Sequence, residues 1–589
     1  MFRLFEWGTR RCGGLAMIAT LCLSYWVLIG EPALRALKPP PITDGAGFWT
    51  TLFALNCLAA HFLIATFYIR LNYATLNVTS RLAALKKKNE AEKSVDTLPR
   101  HGVPNHGAYL TSSDLIHAII IPNYKEDIEI LHETLDVLAS HDGAKGHYDI
   151  CLAMEQREKE AFSKAKTLID AYSSSFRSVF YTTHPPDIPG ESPGKGSNLA
   201  WAVQQVSDRY PLTIRKNIIV TGIDADSHLS RQYFALLDEL HLSHPETALT
   251  TLYAAPIIFD RNPYEVPALT RVADILWGAT GISGLYSGST IAPPTSVYSL
   301  PLVLIDRVGG WDCDCEAIGE DLHMFIKCFF ALNGNLNVQT ILSPVSQTNV
   351  NGDGSFLSDV AARYKQGLRH MWGALDCGYY IRLCVNLFRE RNQSLRAFHP
   401  LHLQIHFSDH ISGSPTNTAD YEVESGIFRD VTSVTLDAPN WGRVLLLGHR
   451  LLELHFMPVQ VTIAVTLNVF LWANKGNLPH DLNWIFQGCS ILGAISGMQL
   501  PFYLFIYARY HAIAVDSREK EMIKAGLADG MRFAHRDWRS VVDYFVGPVV
   551  LLLSGVFPAF HAQISHFWKL DLTYTVSKKV TRQGSEKKP

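Results

Sequence analysis

Apolar stretches long enough to cross a bilayer stand near both ends of this chain and leave its middle free of them. That placement limits the fold before any motif is considered. Near the N-terminus run GLAMIATLCLSYWVLIG (14–30) and FWTTLFALNCLAAHFLIATFYI (48–69). Near the C-terminus run the residues around 455–473, IFQGCSILGAISGMQLPFYLFIY (485–507) and FVGPVVLLLSGVFPAFHA (545–562). A helix needs roughly 20 apolar residues to cross the hydrocarbon core, which the second and fourth stretches meet best. The first follows Arg10 and Arg11 and reads as an uncleaved anchor, or alternatively as a signal peptide, although no clean small-residue cleavage site follows. Gly547, Pro548 and Pro558 leave the last open to a kinked or re-entrant course.

Basic residues set the expected orientation. Arg3, Arg10 and Arg11 precede the first stretch, and Arg81, Lys86, Lys87 and Lys88 follow the second. Arg509, Arg518, Lys520, Lys524, Arg532, Arg536 and Arg539 lie between the fourth and fifth. The positive-inside rule then puts the N-terminus, the large middle and 508–540 in the cytosol. The basic tail stays on that side only if the fifth segment is re-entrant. The expectation is a multi-pass protein of the plasma membrane or an endomembrane. Its divisions are two N-terminal membrane helices (1–75), a cytosolic linker (76–109), an α/β domain (110–390), an acceptor or gating loop region (391–445), an interfacial helix with about three membrane helices (446–565), and a basic tail (566–589).

A net charge of -3 leaves no basic footprint for nucleic acid. None of the ten cysteines falls into zinc-ligand spacing, so the thiols read as mostly reduced and structural.

Within 110–390, short apolar runs alternate with longer amphipathic ones, the pattern of a mainly parallel sheet. LIHAIIIPNY (115–124), HYDICLAME (147–155), SVFYTTH (178–184) and NIIVTGIDAD (217–226) are the strand candidates. Ligands collect at the carboxyl ends of such strands. Asn123–Glu126, Glu155 and Asp224–Asp226 are thereby expected on one rim. In an extended chain Asp224 and Asp226 point to the same side and suit one hard cation such as Mg²⁺ or Mn²⁺. A turn rich in Asp is the plainer alternative.

Further along, Gly309 and Gly310 precede Glu320 and Asp321 at the start of an apolar-periodic helix. Those acids either complement the helix dipole or supply a general base. RYKQGLRHMWGA (363–374) offers Gln366, Arg369 and Trp372 on a broad helical face. SPGKGSNLAWA (192–202) sets Lys195 between glycines before a helix start, suited to phosphate contact, and lacks the spacing of a nucleoside-triphosphatase loop.

Taken in order, IIIPNYKED, GKGSNLA, DAD, GGWD, GED and Gln-x-x-Arg…Trp resemble the inverting glycosyltransferase family 2. The flanking apolar stretches look like its membrane-integral, polysaccharide-synthase-like branches. The resemblance implies an α/β GT-A domain, the Rossmann-like fold of nucleotide-diphospho-sugar transferases, inserted between transmembrane helices on the cytosolic side. It implies that Pro122, Tyr124, Glu126 and Glu155 line a nucleotide pocket and that Lys195 lies near uracil or phosphate. It makes Asp224 and Asp226 the Asp-x-Asp that holds a nucleotide diphosphate through Mn²⁺ or Mg²⁺. Asp321 becomes the catalytic base with Glu320 beside it, and Gln366, Arg369 and Trp372 lie near acceptor and diphosphate. The implied partners are a nucleotide-sugar donor, most simply a UDP-sugar, a glycan or lipid acceptor, and the membrane. The chain departs from the family pattern at Lys125, where Asn is usual, at Glu155, where Asp is usual, and at His370-Met371, inserted before Trp372. A catalytically degenerate nucleotide-sugar-binding scaffold or a transporter component is the competing expectation.

Overall fold

The computed structural model describes residues 2–30, 47–94, 112–188, 191, 194–314, 319–389, 438–473, 480–570 and 572. The acceptor or gating region lies outside them up to residue 437, as do residue 571 and residues 573–589 of the basic tail.

Among the described residues the nine strands are β1 (Ile116–Asn123), β2 (Tyr148–Glu155), β3 (Ser178–His184), β4 (Ile218–Gly222), β5 (Thr251–Ala254), β6 (Ile257–Phe259), β7 (Tyr298–Pro301), β8 (Asn337–Thr340) and β9 (Val345–Gln347). They form a seven-stranded sheet in the order β3-β2-β1-β4-β7-β5-β8 and a small β6-β9 pair. Pairing is parallel except at β7, which runs antiparallel to both β4 and β5. Both faces are covered, so the central strands read as near-continuous apolar runs; every residue of β2 is buried.

Strand alternation divides β1 between two cores. Ile119 and Ile121 pack with Leu131, Leu135, Leu168 and Tyr233 on one face. Ala118 and Ile120 face the opposite core, which contains Leu199, Val203 and Phe325. That second core continues without interruption into the apolar helices, through Tyr68, Leu71, Val78, Tyr503, Tyr507 and Tyr510. Tyrosines carry the contact because their hydroxyls reach backbone acceptors across it: Tyr510 donates to Ile257 O at 3.3 Å and Tyr503 to Ile275 O at 3.4 Å.

Among the described residues, five helices are long and apolar enough to cross a membrane: Cys12–Gly30, Phe48–Lys88, Trp441–Phe470, Asn483–Ala525 and Trp538–Ser565. The second departs from the expected boundary. It is one helix of 47 residues, Phe48–Ser94, so most of the segment expected to be a linker continues the membrane helix. Lysine and glutamate are good helix formers, and this helix lies against the 43-residue Asn483–Ala525 helix, with Asn72 Nδ2 donating to Gln499 Oε1 at 2.5 Å and, in the charged extension, Lys86 paired with Asp516. The expected interfacial helix is likewise not separate. Trp441–Leu451, capped by Asn440, buries Val444, Leu447 and Leu451 in the domain core and passes through a π-helical turn, Leu452–Phe456, into Met457–Ala473. The fifth segment accommodates Pro548 and Pro558 within one continuous helical stretch of 28 residues, with its own π-helical turn at Leu551–Val556.

A buried ion pair ties this last helix to the domain. Arg271 grips Asp543 with Nη2 at 2.6 Å and Nε at 3.2 Å, and Asp543 is fully buried. Removing one partner of such a pair costs about 3–5 kcal/mol when a charge is left stranded; Asp543 keeps Arg536 Nη2 at 2.8 Å, which puts the loss of Arg271 at the lower end of that range. Arg271→Ala is therefore expected to lower the thermal midpoint of the purified protein steeply, whereas Arg231→Ala, which breaks an exposed pair with Asp142, is expected to cost under about 1 kcal/mol. Thermal unfolding in detergent, with both variants side by side, measures the difference.

Candidate functional site

The sheet delivers its polar residues to one rim. Tyr124 follows β1 and lies between Lys125 Nζ, 5.0 Å from its ring centroid, and the Arg157 guanidinium at 4.7 Å. Lys125 has φ 58°, a left-handed conformation in which Asn is favoured, and its N–H is held by Glu158 Oε2 at 2.7 Å. The shape of this turn thus survives the Asn-to-Lys departure because Glu158 secures the backbone. Glu155 ends β2 almost wholly buried, accepting from Arg157 Nη2 at 3.0 Å and meeting His184 Nδ1 at 3.3 Å. Burial opposes a charge on His184, but Glu155 and Glu191 outweigh it and push the imidazole up to about 9. Pro122, Tyr124, Glu126 and Glu155 border a small cleft of about 40 Å³ that also touches Lys195 and Asp224.

Beside it opens a cavity of about 450 Å³, and here the carboxylates gather. Lys195 begins a helix and projects its ammonium 2.8 Å from Asp224 Oδ1 and 3.3 Å from Glu320 Oε1. Burial disfavours that charge, yet Asp224 and Glu320 more than compensate and hold Lys195 protonated. Burial likewise pushes the Glu320 carboxyl up to about 7, with Lys195 pulling the other way and Asp321 and Asp224 adding to the rise. Asp321 is half-buried and accepts from Ser296 N and Leu322 N, each at 2.9 Å. Ser296 also donates its hydroxyl to Asp224, so one residue links the two acidic groups. It does so from a left-handed backbone, φ 68°.

Gln347 Nε2 donates to Ser296 Oγ at 2.8 Å and to Asp224 Oδ2 at 3.2 Å, while Thr348 binds Asp226. The backbone of Asp226 is fixed by buried Arg261, whose Nη1 donates to Asp226 O at 2.6 Å and whose Nη2 pairs with Glu133 at 2.6 Å. Asp224 and Asp226 both border the cavity. Among the described residues no group of three or more His, Cys, Asp and Glu side chains makes a metal cage. The oxygen donors present fit a hard cation held by one or two carboxylates and completed by substrate phosphate.

Helix Phe356–Trp372 brings Gln366 and Arg369 to the same cavity but not Trp372. Trp372 is buried elsewhere: its indole donates to Leu570 O at 2.7 Å and packs edge-on to His566. Residues 366, 369, 370 and 373 share a face, and Trp372 stands at its edge, about 60° around the helix from Arg369, where Leu570 and His566 take up the indole. The indole that does border the cavity is Trp277, stacked on His370 with centroids 3.6 Å apart and planes 15° apart. Burial and the nearby Arg369 and Arg363 hold His370 well below its usual range, hence neutral.

Ser296, Gln347, Thr348 and Trp277 escaped the sequence reading. Gln347-Thr348-Asn349 did carry a signal, a polar triplet that begins at the last residue of the short buried strand β9. A second omission lies behind the acids. His323, fully buried, has Nδ1 2.7 Å from Asp376 Oδ1, Nε2 3.4 Å from Asp312 Oδ2, and its ring stacked on Tyr379 at 4.0 Å. It stands two residues after Asp321 and fixes the helix start that presents that carboxylate.

Residues 219–475 match the family model described as glycosyl transferase family group 2. That stretch includes Asp224–Asp226, Glu320-Asp321 and Gln366–Trp372. No curated protein matches the chain. Among solved structures, a mannosyltransferase from Pyrobaculum calidifontis in complex with GDP-Man and Mn2+ is similar at 13% identity and TM-score 0.34, covering 77% of this chain and 98% of its own. Glucosyl-3-phosphoglycerate synthase from Mycobacterium tuberculosis, in complex with Mn2+, UDP and glucosyl-3-phosphoglycerate, is similar at 16% identity and TM-score 0.27, covering 43% and 81%. TarS 1-349 from S. aureus is similar at 13% identity and TM-score 0.27, covering 62% and 92%.

The His323 clamp generates a pH dependence. Burial disfavours its charge, but Asp312 and Asp376 overcome this and push His323 up to about 9 from its ordinary 6.5. A raised histidine pKa gives stability that is full below about 6.5 and falls away as pH rises through about 9. The thermal midpoint is expected to fall between pH 7 and 9.5, and His323→Gln to flatten that slope; melting curves across the range test it.

Proposed function

We propose that this protein is a membrane-bound, metal-dependent inverting hexosyltransferase that moves a sugar from a nucleotide-sugar, most simply a UDP-sugar, to a glycan or lipid acceptor in β-linkage. The observation that carries the reading is the convergence of Lys195, Asp224 and Asp321 on one cavity, linked through Ser296. In this reading Tyr124, Glu126 and the neighbouring Pro122 and Glu155 receive the nucleoside in the small cleft. Asp224 and Asp226 hold a Mn²⁺ or Mg²⁺ ion, which when bound offsets charge on the diphosphate.

Asp321 takes the proton of an acceptor hydroxyl, and that oxygen attacks the anomeric carbon in line with the departing diphosphate. The carbon–oxygen bond to acceptor forms as the bond to phosphate breaks, and the electron pair leaves with the diphosphate. Lys195 and Arg369 stabilise that anion in place, as preorganised cations do. A single displacement inverts the anomeric centre. Glu320, paired with Lys195, holds that ammonium toward the phosphates. Gln366 orients the acceptor side, while Trp372 serves the packing of its helix. The basic loops support a cytosolic side for this chemistry.

Asp321→Asn is expected to lower sugar transfer by at least about 10³-fold while donor affinity stays within about twofold; turnover equal to the wild type would remove Asp321 from the base role. Asp226→Ala is expected to abolish the Mn²⁺-dependent part of donor binding. Calorimetric titration of UDP-sugars with and without the metal reads this, and undiminished metal-dependent affinity would argue against the ligand assignment.

A further inference from the structure

The large cavity does not end at the acids. Its wall continues along the helices that begin in the membrane, past Arg70 and Glu453 and on to Thr462 and Val556. From Glu453 to Thr462 that is about 14 Å of helix, leading into the apolar segment Met457–Ala473. On the last helix the wall comprises Val550, Leu551 and Ser554–Val556, the middle of the apolar run 545–562. The far end of the cavity thus lies within helix segments built for hydrocarbon.

The lining there changes character. Ile64, Met457, Val461, Val550, Leu551 and Val556 border it. Thr462 turns its hydroxyl back onto its own helix, donating to Pro458 O at 2.7 Å. A glycan threaded through this end would lose hydrogen bonds to water for its hydroxyls and find aliphatic carbon in return, at a cost of order 2–7 kcal/mol for each polar group left unpaired. A hydrocarbon chain would gain from the same walls. Both nearby π-helical turns, Leu452–Phe456 and Leu551–Val556, contribute to the wall, and such turns recur at functional positions in helices. Where the apolar end meets the acidic end, Arg70 and Glu453 form a doubly contacted pair, Nη1–Oε1 and Nη2–Oε2 both 2.7 Å.

We propose that the acceptor is a membrane lipid: its hydrocarbon occupies the apolar end of the cavity, and a hydroxyl of its headgroup reaches Asp321. This rests on the glycosyltransferase reading above and narrows its acceptor to one class. The headgroup O–H gives its proton to Asp321, its oxygen bonds to the anomeric carbon, and the nucleoside diphosphate departs with the electron pair of the broken bond.

Gly555 offers a selective test. It borders the cavity, and a Cβ added there would meet nothing within 4 Å, so larger side chains project into open space rather than into packed neighbours. The full-length protein is reconstituted with Mn²⁺ in vesicles of total polar lipid from the expression host and given a panel of radiolabelled UDP- and GDP-sugars. Donor affinity is measured separately by calorimetry. The wild type is expected to move label into the organic phase. Gly555→Ala, Gly555→Leu and Gly555→Phe are expected to reduce that transfer in order of size, the last by at least about tenfold, with donor affinity unchanged. Label appearing only in water-soluble product overturns the lipid acceptor and points to a glycan. Organic-phase label that ignores the Gly555 series overturns this site, and donor turnover that labels no lipid overturns it as well. Absence of metal-dependent donor binding across the panel instead defeats the glycosyltransferase reading, and the acceptor proposal falls with it.

Discussion

The sheet and the apolar helices share one core, and the placement of the site follows from that. Alternate residues of β1 face a cluster that contains Tyr68, Leu71, Tyr503 and Tyr507 from helices that also run through the apolar segments. A sheet face covered in this way cannot swing relative to those helices without exposing aromatic and aliphatic surface at roughly 25 cal/mol per Å². The buried pairs Arg271–Asp543 and Arg518–Asp260 reinforce the same junction with contacts that depend on direction. The carboxyl rim of the sheet therefore opens onto the helices, and a single cavity borders both.

Within that frame, electrostatics decides the local order. Asp224, Glu320 and Asp321 would repel one another in a partly dry pocket, and Lys195 is the cation that lets them coexist. Glu320 shows the tension that remains, its carboxyl pushed up to about 7 despite the neighbouring ammonium. Ser296 adds geometry to charge, since its amide holds Asp321 and its hydroxyl holds Asp224. The cost is a non-glycine residue in left-handed backbone, tolerated because both of its polar groups are engaged.

Much of this was legible in the chain. Buried parallel strands announce themselves as apolar runs, and the acids placed just after them, at 123–126, 155 and 224–226, do fall on one rim. What stayed hidden depended on distance in sequence. Ser296 follows a pair of prolines, and nothing local marks it as the residue linking positions 224 and 321. His323 was read as part of an amphipathic helix, and its partners Asp312 and Asp376 lie on other segments. Trp372 misled for the same reason: the groups that take up its indole, Leu570 and His566, lie nearly 200 residues away in the chain. Residues 76–94 read as a linker because they are charged, but charge ends a span and not a helix.

Those charged turns have a mechanical meaning. Helices of 47 and 43 residues are about 70 and 65 Å long, against a hydrocarbon core of about 30 Å. A helix of either length that crosses such a core once has more than half of itself outside it, and the two lie side by side with Asn72 bonded to Gln499 and Lys86 to Asp516. The pair acts as a stand of fixed height beneath the sheet. A bilayer a few ångströms thicker or thinner would tilt both struts together, so the elevation of the acidic cluster above the lipid surface is written into helix length and shared packing, not into a tether.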